Sequence, residues 1–161
     1  MITIIPQNRS ASPDGCLDLV RTIFDQTLKN SWSDEGVRSF YELIEKARVF
    51  NPFRYYLAVD GMTGDAAGVL ACDEAISHIV LLFVSPDYSR KGVGSALISA
   101  VANATGESGL TVNAELTAEN FYVKNGFRRI NDSINEKDGI KTVKMFKKIK
   151  KPDRINVPPA L

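Results

Sequence analysis

The segment His78-Ile-Val-Leu-Leu-Phe-Val84 is apolar at every position after its first, and it stops at Ser85-Pro86. A strand with that pattern buries both faces, so it needs a sheet with other elements packed on each side. One turn later, Gly92-Val-Gly-Ser-Ala-Leu-Ile-Ser-Ala-Val101 sets Val93, Leu97, Val101 and Ala104 three or four residues apart. That is helical spacing, and Gly106 closes the helix. A buried strand feeding straight into a helix calls for a layered α/β architecture.

The remaining pattern fills in that architecture. Residues 1–7 read as an edge strand. Ser12-Pro-Asp14 is a helix-start signal, and Leu17, Val20, Ile23, Phe24 and Leu28 follow at helical spacing, predicting a helix over 13–30. A second helix is expected from Ser33. Residues 55–59 and 66–73 read as a hairpin around Asp60-Gly-Met-Thr-Gly-Asp65. Residues 110–114 form a short strand. Thr117 is expected to cap a short helix that stops at Gly126. The last strands, 127–131 and 140–149, are joined by a polar loop over 132–139. The order β α α β β β α β α β β predicts a mixed sheet of six or seven strands flanked on both faces by about four helices. Residues 1–150 are expected to make one domain and 151–161, with three prolines, an extended or disordered tail.

Composition narrows the function classes. The net charge is +1, but residues 141–161 carry seven basic side chains and one acidic. That excess includes Lys144, Lys147, Lys148, Lys150 and Lys151, in and after a strand, where lysines blunt an exposed sheet edge. Nucleic acid is therefore not the expected partner. No apolar run approaches the roughly 20 residues of a membrane span, and the start lacks the basic region of a secretory leader. Two cysteines, Cys16 and Cys72, support neither a disulfide framework nor a Cys-rich metal site. A cytoplasmic protein with free thiols and no metal is expected.

The turn between strand and helix carries the chemistry. The first amides of a helix lack internal acceptors, and the helix dipole adds positive potential, so such a turn can hold an anion. Gly92 and Gly94 let a phosphate approach the main chain, and Arg90 and Lys91 add charge. A dinucleotide fingerprint fails because Leu97 stands where its third glycine belongs, and a P-loop fails for want of Gly-Lys-Ser/Thr. On its own, Gly-x-Gly is equally a plain helix cap.

The wider context is more specific. Val84-x-Pro86 followed by Tyr88-Ser-Arg-Lys-Gly-Val-Gly-Ser-Ala-Leu97 resembles the acyl-CoA-binding motif of the GNAT N-acetyltransferase superfamily, Arg/Gln-x-x-Gly-x-Gly/Ala. Ala118-x-x-Phe-Tyr122-x-Lys124-x-Gly-Phe127 resembles the family's second motif, in the right order. The resemblance covers about residues 1–149 and is strongest over 77–127. It departs from the pattern at two positions. Ser89 stands at the family's Arg/Gln position, with Arg90 a possible substitute, and Glu115 stands where an asparagine often faces the pantetheine.

The resemblance implies a GNAT-like fold whose fourth and fifth strands splay apart. Acetyl-CoA would lie in that gap as co-substrate, its pantetheine pairing with main-chain groups of Leu82, Phe83 and Val84. The amides of Ser89, Arg90, Lys91, Gly92, Val93, Gly94 and Ser95 would hold the pyrophosphate, and Lys124 resembles the family's lysine near the nucleotide. Tyr122 matches the tyrosine beside the sulfur, a proton donor to the leaving thiolate. A main-chain N–H near Phe83 or Val84 would steady the oxyanion. His78 sits six residues before Val84, an offset where the family often places a base. Even spacing puts both on one side of a strand unless a bulge intervenes. Glu74, Glu115 and water are the alternatives to His78.

The acceptor implied is a small-molecule or peptide amine. The regions that build the family's acceptor groove offer Trp32, Phe40 and Tyr41 with Asp132, Glu136 and Asp138. These suit a cationic amine, or are equally core residues and a solvated loop. The expected activity is N-acetyl transfer to a primary amine by direct attack in a ternary complex, in a monomer or homodimer. A non-catalytic acyl-CoA sensor is the alternative.

Overall fold

The computed structural model describes residues 1–150. The expected tail, 151–161, lies outside the described residues. An edge strand, β1 (Ile2–Pro6), precedes helices α1 (Asp14–Thr27) and α2 (Asp34–Phe50). Strands β2 (Arg54–Asp60), β3 (Ala66–Cys72) and β4 (His78–Val84) follow as a meander. Helix α3 (Val93–Ala104) crosses over to β5 (Gly109–Glu115). Helix α4 (Glu119–Lys124) then leads to β6 (Arg128–Arg129), β7 (Asn135–Lys137) and β8 (Ile140–Lys148). The sheet runs β1-β2-β3-β4-β5-β8-β6, with β7 also on β8.

Two apolar clusters sandwich the sheet, as the both-sides-apolar β4 requires. On one face Leu17, Val20 and Phe24 of α1 and Phe40, Ile44 and Ala47 of α2 meet Val69, Ala71 and Leu81. On the other, Val93, Leu97 and Val101 of α3 pack with Leu70, Ile79, Leu110, Val112, Tyr122 and Phe127. Ser33 caps α2 as expected, its Oγ accepting from Gly36 N at 3.1 Å.

Several expectations are corrected. The polar stretch 132–139 contains β7 and a tight hairpin turn into β8, with Asp138 at φ 54° and Gly139 at φ 80°. An Asp-Gly pair suits a turn that needs two left-handed residues, and the strand count rises to eight. Thr117 lies inside a 3₁₀ turn, Leu116–Ala118, and does not cap α4. The lysine-rich β8 is no sheet edge: β5 pairs along one side and β6 and β7 along the other. Its lysines project from an interior strand, and Lys147 donates to Asn125 O at 2.6 Å.

The feature that makes a site is the relation of β4 to β5. They pair in parallel only at His78↔Thr111 and Ile79↔Val112, and then part. On its other side β4 carries a bulge: Cys72 pairs with Ile79 but Ala71 with Leu81, so Val80 is the extra residue. A bulge bends its strand and strengthens the twist. It also reverses the side-chain alternation. Ile79, Leu82 and Val84 face α3, whereas Leu81 and Phe83 face α1 and α2. His78, pointing opposite to Ile79, therefore lies on the other face of the sheet from Val84, the bulge being the exception under which even spacing does not put the two together.

The β3–β4 turn fixes where that bulge falls. Asp73 Oδ1 accepts from Ser77 N at 2.7 Å and His78 N at 3.0 Å, and Oδ2 accepts from Ser77 Oγ at 2.6 Å. Burial opposes the charge, but the hydrogen bonds from Ser77 and His78 outweigh it and hold the carboxyl below its ordinary value of 3.8. Asp73→Ala is expected to destabilise the protein by about 1–3 kcal/mol in urea unfolding at neutral pH. Since the folded pKa is the lower one, the difference from the parent should be full above the ordinary carboxylate pKa. It should shrink as pH falls through the depressed value.

Candidate active site

The turn after β4 is built to leave amides free. Pro86–Tyr88 form a 3₁₀ turn, Ser89 Oγ folds back to donate to Pro86 O at 2.9 Å, and Arg90 and Gly92 adopt φ of 60° and 78°. Ala96 is the first residue of the helix whose N–H finds an acceptor, Gly92 O at 3.0 Å. The N–H groups of residues 90–95 donate to no group among the described residues. Six free amides at a helix start are an anion site without any charged side chain. Gly94 is needed for packing, because a Cβ there would come within 2.8 Å of Phe121 Cζ.

A cavity of about 540 Å³ opens over this turn, walled by Leu82, Val84, Tyr88, Ser89, Arg90, Gly92, Val93, Gly94, Ser95, Ala118, Phe121, Tyr122 and Lys124. A second cavity, of about 480 Å³, lies under α1 and α2 and includes Leu28, Trp32, Phe40, Phe83, Asn113 and Glu115. Leu82, Val84, Ala118 and Tyr122 wall both. The two cavities thus meet where β4 and β5 have parted.

Main-chain direction at the seam follows from the ladder. Ser85 N donates to Ala67 O at 2.9 Å, and hydrogen-bonded pairs alternate along an antiparallel ladder. Phe83 therefore spends its N–H on β3, while the N–H and C=O of Leu82 and Val84 face the gap.

Two titratable groups stand at the seam. Tyr122 is 7% exposed, its hydroxyl has no partner among the described residues, and burial raises its pKa, so the phenol stays protonated. Glu115, at the end of β5, is half-buried. Desolvation raises its pKa, partly offset by a hydrogen bond from Trp32 Nε1 to Oε1 at 3.2 Å. The indole in turn packs edge-on against Phe24 and Phe40, at centroid distances of 5.1 and 5.8 Å.

Comparison with known proteins agrees with this geometry. The model of the acetyltransferase (GNAT) domain matches residues 28–149, most of the chain. The chain belongs to the GNAT acetyltransferase family. A curated relative, the uncharacterized N-acetyltransferase YafP of Escherichia coli (strain K12), is 43% identical over 53 residues, 33% of this chain. That match spans about a third, 34%, of the relative's length. Two crystal structures share the fold. The GCN5-related N-acetyltransferase from Rhodopseudomonas palustris has a TM-score of 0.65 at 21% identity, covering 91% of this chain and 94% of its own. A histone acetyltransferase HPA2 and related acetyltransferase from Corynebacterium glutamicum has a TM-score of 0.68 at 20% identity, covering 94% and 98%.

Of the residues that the GNAT resemblance singled out, most fall together. Leu82, Val84, Ser89, Arg90, Gly92, Val93, Gly94, Ser95, Tyr122 and Lys124 wall the first cavity, and Phe83 walls the second. Lys91 walls neither; its Nζ sits 5.5 Å from the centre of the Tyr88 ring. His78 lines neither cavity: its Nδ1 is 2.7 Å from Thr111 Oγ1, in a recess with Val112, Ile130 and Lys144 that touches the second cavity only through Asn113. Glu74 is held by Arg9 and Arg54 at 2.8 and 3.0 Å. Tyr41 hydrogen-bonds Asp25 at 2.5 Å, outside both cavities.

Sequence reasoning missed the Trp32–Glu115 pair, 83 residues apart, for which no local signal exists. It also missed Tyr88, whose hydroxyl donates to Asp60 at 2.8 Å and ties the turn to the β2–β3 hairpin. Its place in the motif was the available clue.

Gly92→Val should force a β-branched residue into a left-handed conformation. Calorimetry should then show coenzyme A binding weakened about tenfold or more. Lys91→Ala, whose side chain lies over Tyr88, should bind nearly as the parent does.

Proposed function

We propose that this protein transfers an acetyl group from acetyl-CoA to a primary amine by direct attack in a ternary complex. The observation that carries the reading is the seam: a cavity with a free-amide anion site and a second cavity with a carboxylate share one wall, and Tyr122 stands in it. The residues present fit the co-substrate. Free amides and Arg90 suit a diphosphate, the gap-facing groups of Leu82 and Val84 suit a pantetheine amide, and Lys124 suits the nucleotide end.

A thioester bound there supplies the acetyl group; a C–N bond forms as the C–S bond breaks. Glu115 takes the proton that the ammonium must lose, and its raised pKa makes it a better base than a solvated carboxylate. The gap-facing N–H of Val84 or Leu82 donates to the developing oxyanion. Tyr122 gives its phenolic proton to the departing sulfur. A phenol, of pKa about 10 in water, can do this only in close contact with a nascent thiolate. The second cavity brings Glu115, not His78, to the same place as Tyr122, which favours the carboxylate as base.

Covalent transfer through cysteine is disfavoured. Cys16 and Cys72 are buried, line neither cavity, and burial raises both thiols, Cys72 to about 12.

Tyr122→Phe should lower kcat by about 10- to 1,000-fold in a thiol-release assay while leaving coenzyme A affinity nearly unchanged. Tight coenzyme A binding with no turnover of any amine by the parent would make the protein a sensor instead.

The base is tested by pH. Activity should fall as pH drops through a single ionisation above the usual carboxylate range, because burial lifts Glu115 and only the ionised form accepts a proton. Glu115→Gln should abolish that limb, and His78→Ala should leave it in place. The reverse pattern would return the role to His78.

A further inference from the structure

Resting on the transferase reading above, we infer that the acceptor is a singly charged primary amine on an apolar, aryl-bearing body, with Trp32 as the residue that selects it. Among the described residues, Glu115 is the one carboxylate or basic side chain lining the second cavity. The groove continues outward into a space of about 420 Å³, joined through Trp32, Phe40, Leu43 and Asn113. Its ionisable residues are Lys137 and Asp138, and Asp138 Oδ2 is already occupied by Ser39 Oγ at 2.6 Å. One carboxylate at the seam, its Oε1 accepting from Trp32, matches one ammonium. A second cation on the acceptor would have to pass the apolar wall before it reached Asp138, which is engaged by Ser39 and stands beside the positive Lys137.

The body is set by what lines the walls. Trp32, Phe40 and Phe83 run along the groove with Leu28 and Leu43, and Phe40 and Phe83 lie 5.6 Å apart between ring centres. Aromatic walls take apolar rings by offset or edge contacts. Burying a phenyl ring that a short alkylamine lacks should raise kcat/KM about ten- to a hundredfold.

Trp32 does two separable things. Its ring forms the wall, and its Nε1–H holds Glu115 and lowers that carboxyl's pKa. Trp32→Phe keeps a ring and removes the donor. The acid limb of the pH–rate profile should therefore move to higher pH while the preference for aryl amines persists. Trp32→Ala should erase that preference. A merely structural Trp32 would move neither.

Trp32 is the single tryptophan of the chain, so its emission reports the groove directly. The experiment titrates the protein with 2-phenylethylamine, n-butylamine, spermidine and a lysine-rich peptide, following tryptophan fluorescence and then thiol release with acetyl-CoA. Saturable change in emission and fastest turnover with 2-phenylethylamine are expected. Faster turnover of spermidine or the peptide overturns this inference and leaves the transferase intact. No thiol release with any of the four likewise overturns this inference, whereas the transferase reading falls only if no amine of a broad panel is turned over.

Discussion

Everything about the site depends on two strands that stop pairing. Beyond Ile79↔Val112, β4 and β5 keep their places in the sheet but no longer exchange hydrogen bonds. Unpaired main chain inside a fold is costly unless something else satisfies it. Here the gap-facing groups of Leu82 and Val84 border two cavities, so the cost falls where a ligand can offset it. The extra residue at Val80 and the Asp73 turn before it are the structural means. They set where the bulge lies and which side chains face which helices.

The parting also divides the labour. On the α3 face, the turn at residues 90–95 presents main-chain donors, the Ser89 N–H that the motif also suggested being spent on Pro86 O. Its tightness needs glycine: Gly92 for its left-handed φ, Gly94 for the close approach of Phe121. On the α1–α2 face, side chains do the work: an aromatic wall and a half-buried carboxylate held by an indole. Tyr122 belongs to both because α4 lays it across the seam. Burial raises both pKa values, which keeps the phenol protonated and makes Glu115 more basic, while the same burial makes the phenol a weaker acid.

The legible parts share a property. The α3 helix, the central β4, the left-handed Gly126 and the Ser33 cap were read from neighbours within a few positions, where period and capping chemistry are local. The motif around Gly92 and Gly94 was read as a resemblance, and its residues do wall one cavity. The failures are non-local. The β7 strand pairs through a hairpin whose three exposed polar residues carry no apolar period. The lysines of β8 looked like edge protection until β6 and β7 covered that side. His78 was placed by parity, and parity fails when one residue bulges.

The sequence by itself determined the α/β layering, the starts of α1 and α2, and the glycine turn into α3, since each follows from φ preferences and apolar period along a short stretch. Only the tertiary structure decided which acid shares a cavity with Tyr122. His78 and Glu115 share the α1–α2 side of the sheet, but His78 stands where β4 and β5 still pair and Glu115 where they have parted. The packing of α1 and α2 on the sheet carries Trp32 to Glu115. Those outcomes depend on strand register and helix docking, which sum many weak contacts across distant residues and leave no mark in any single segment.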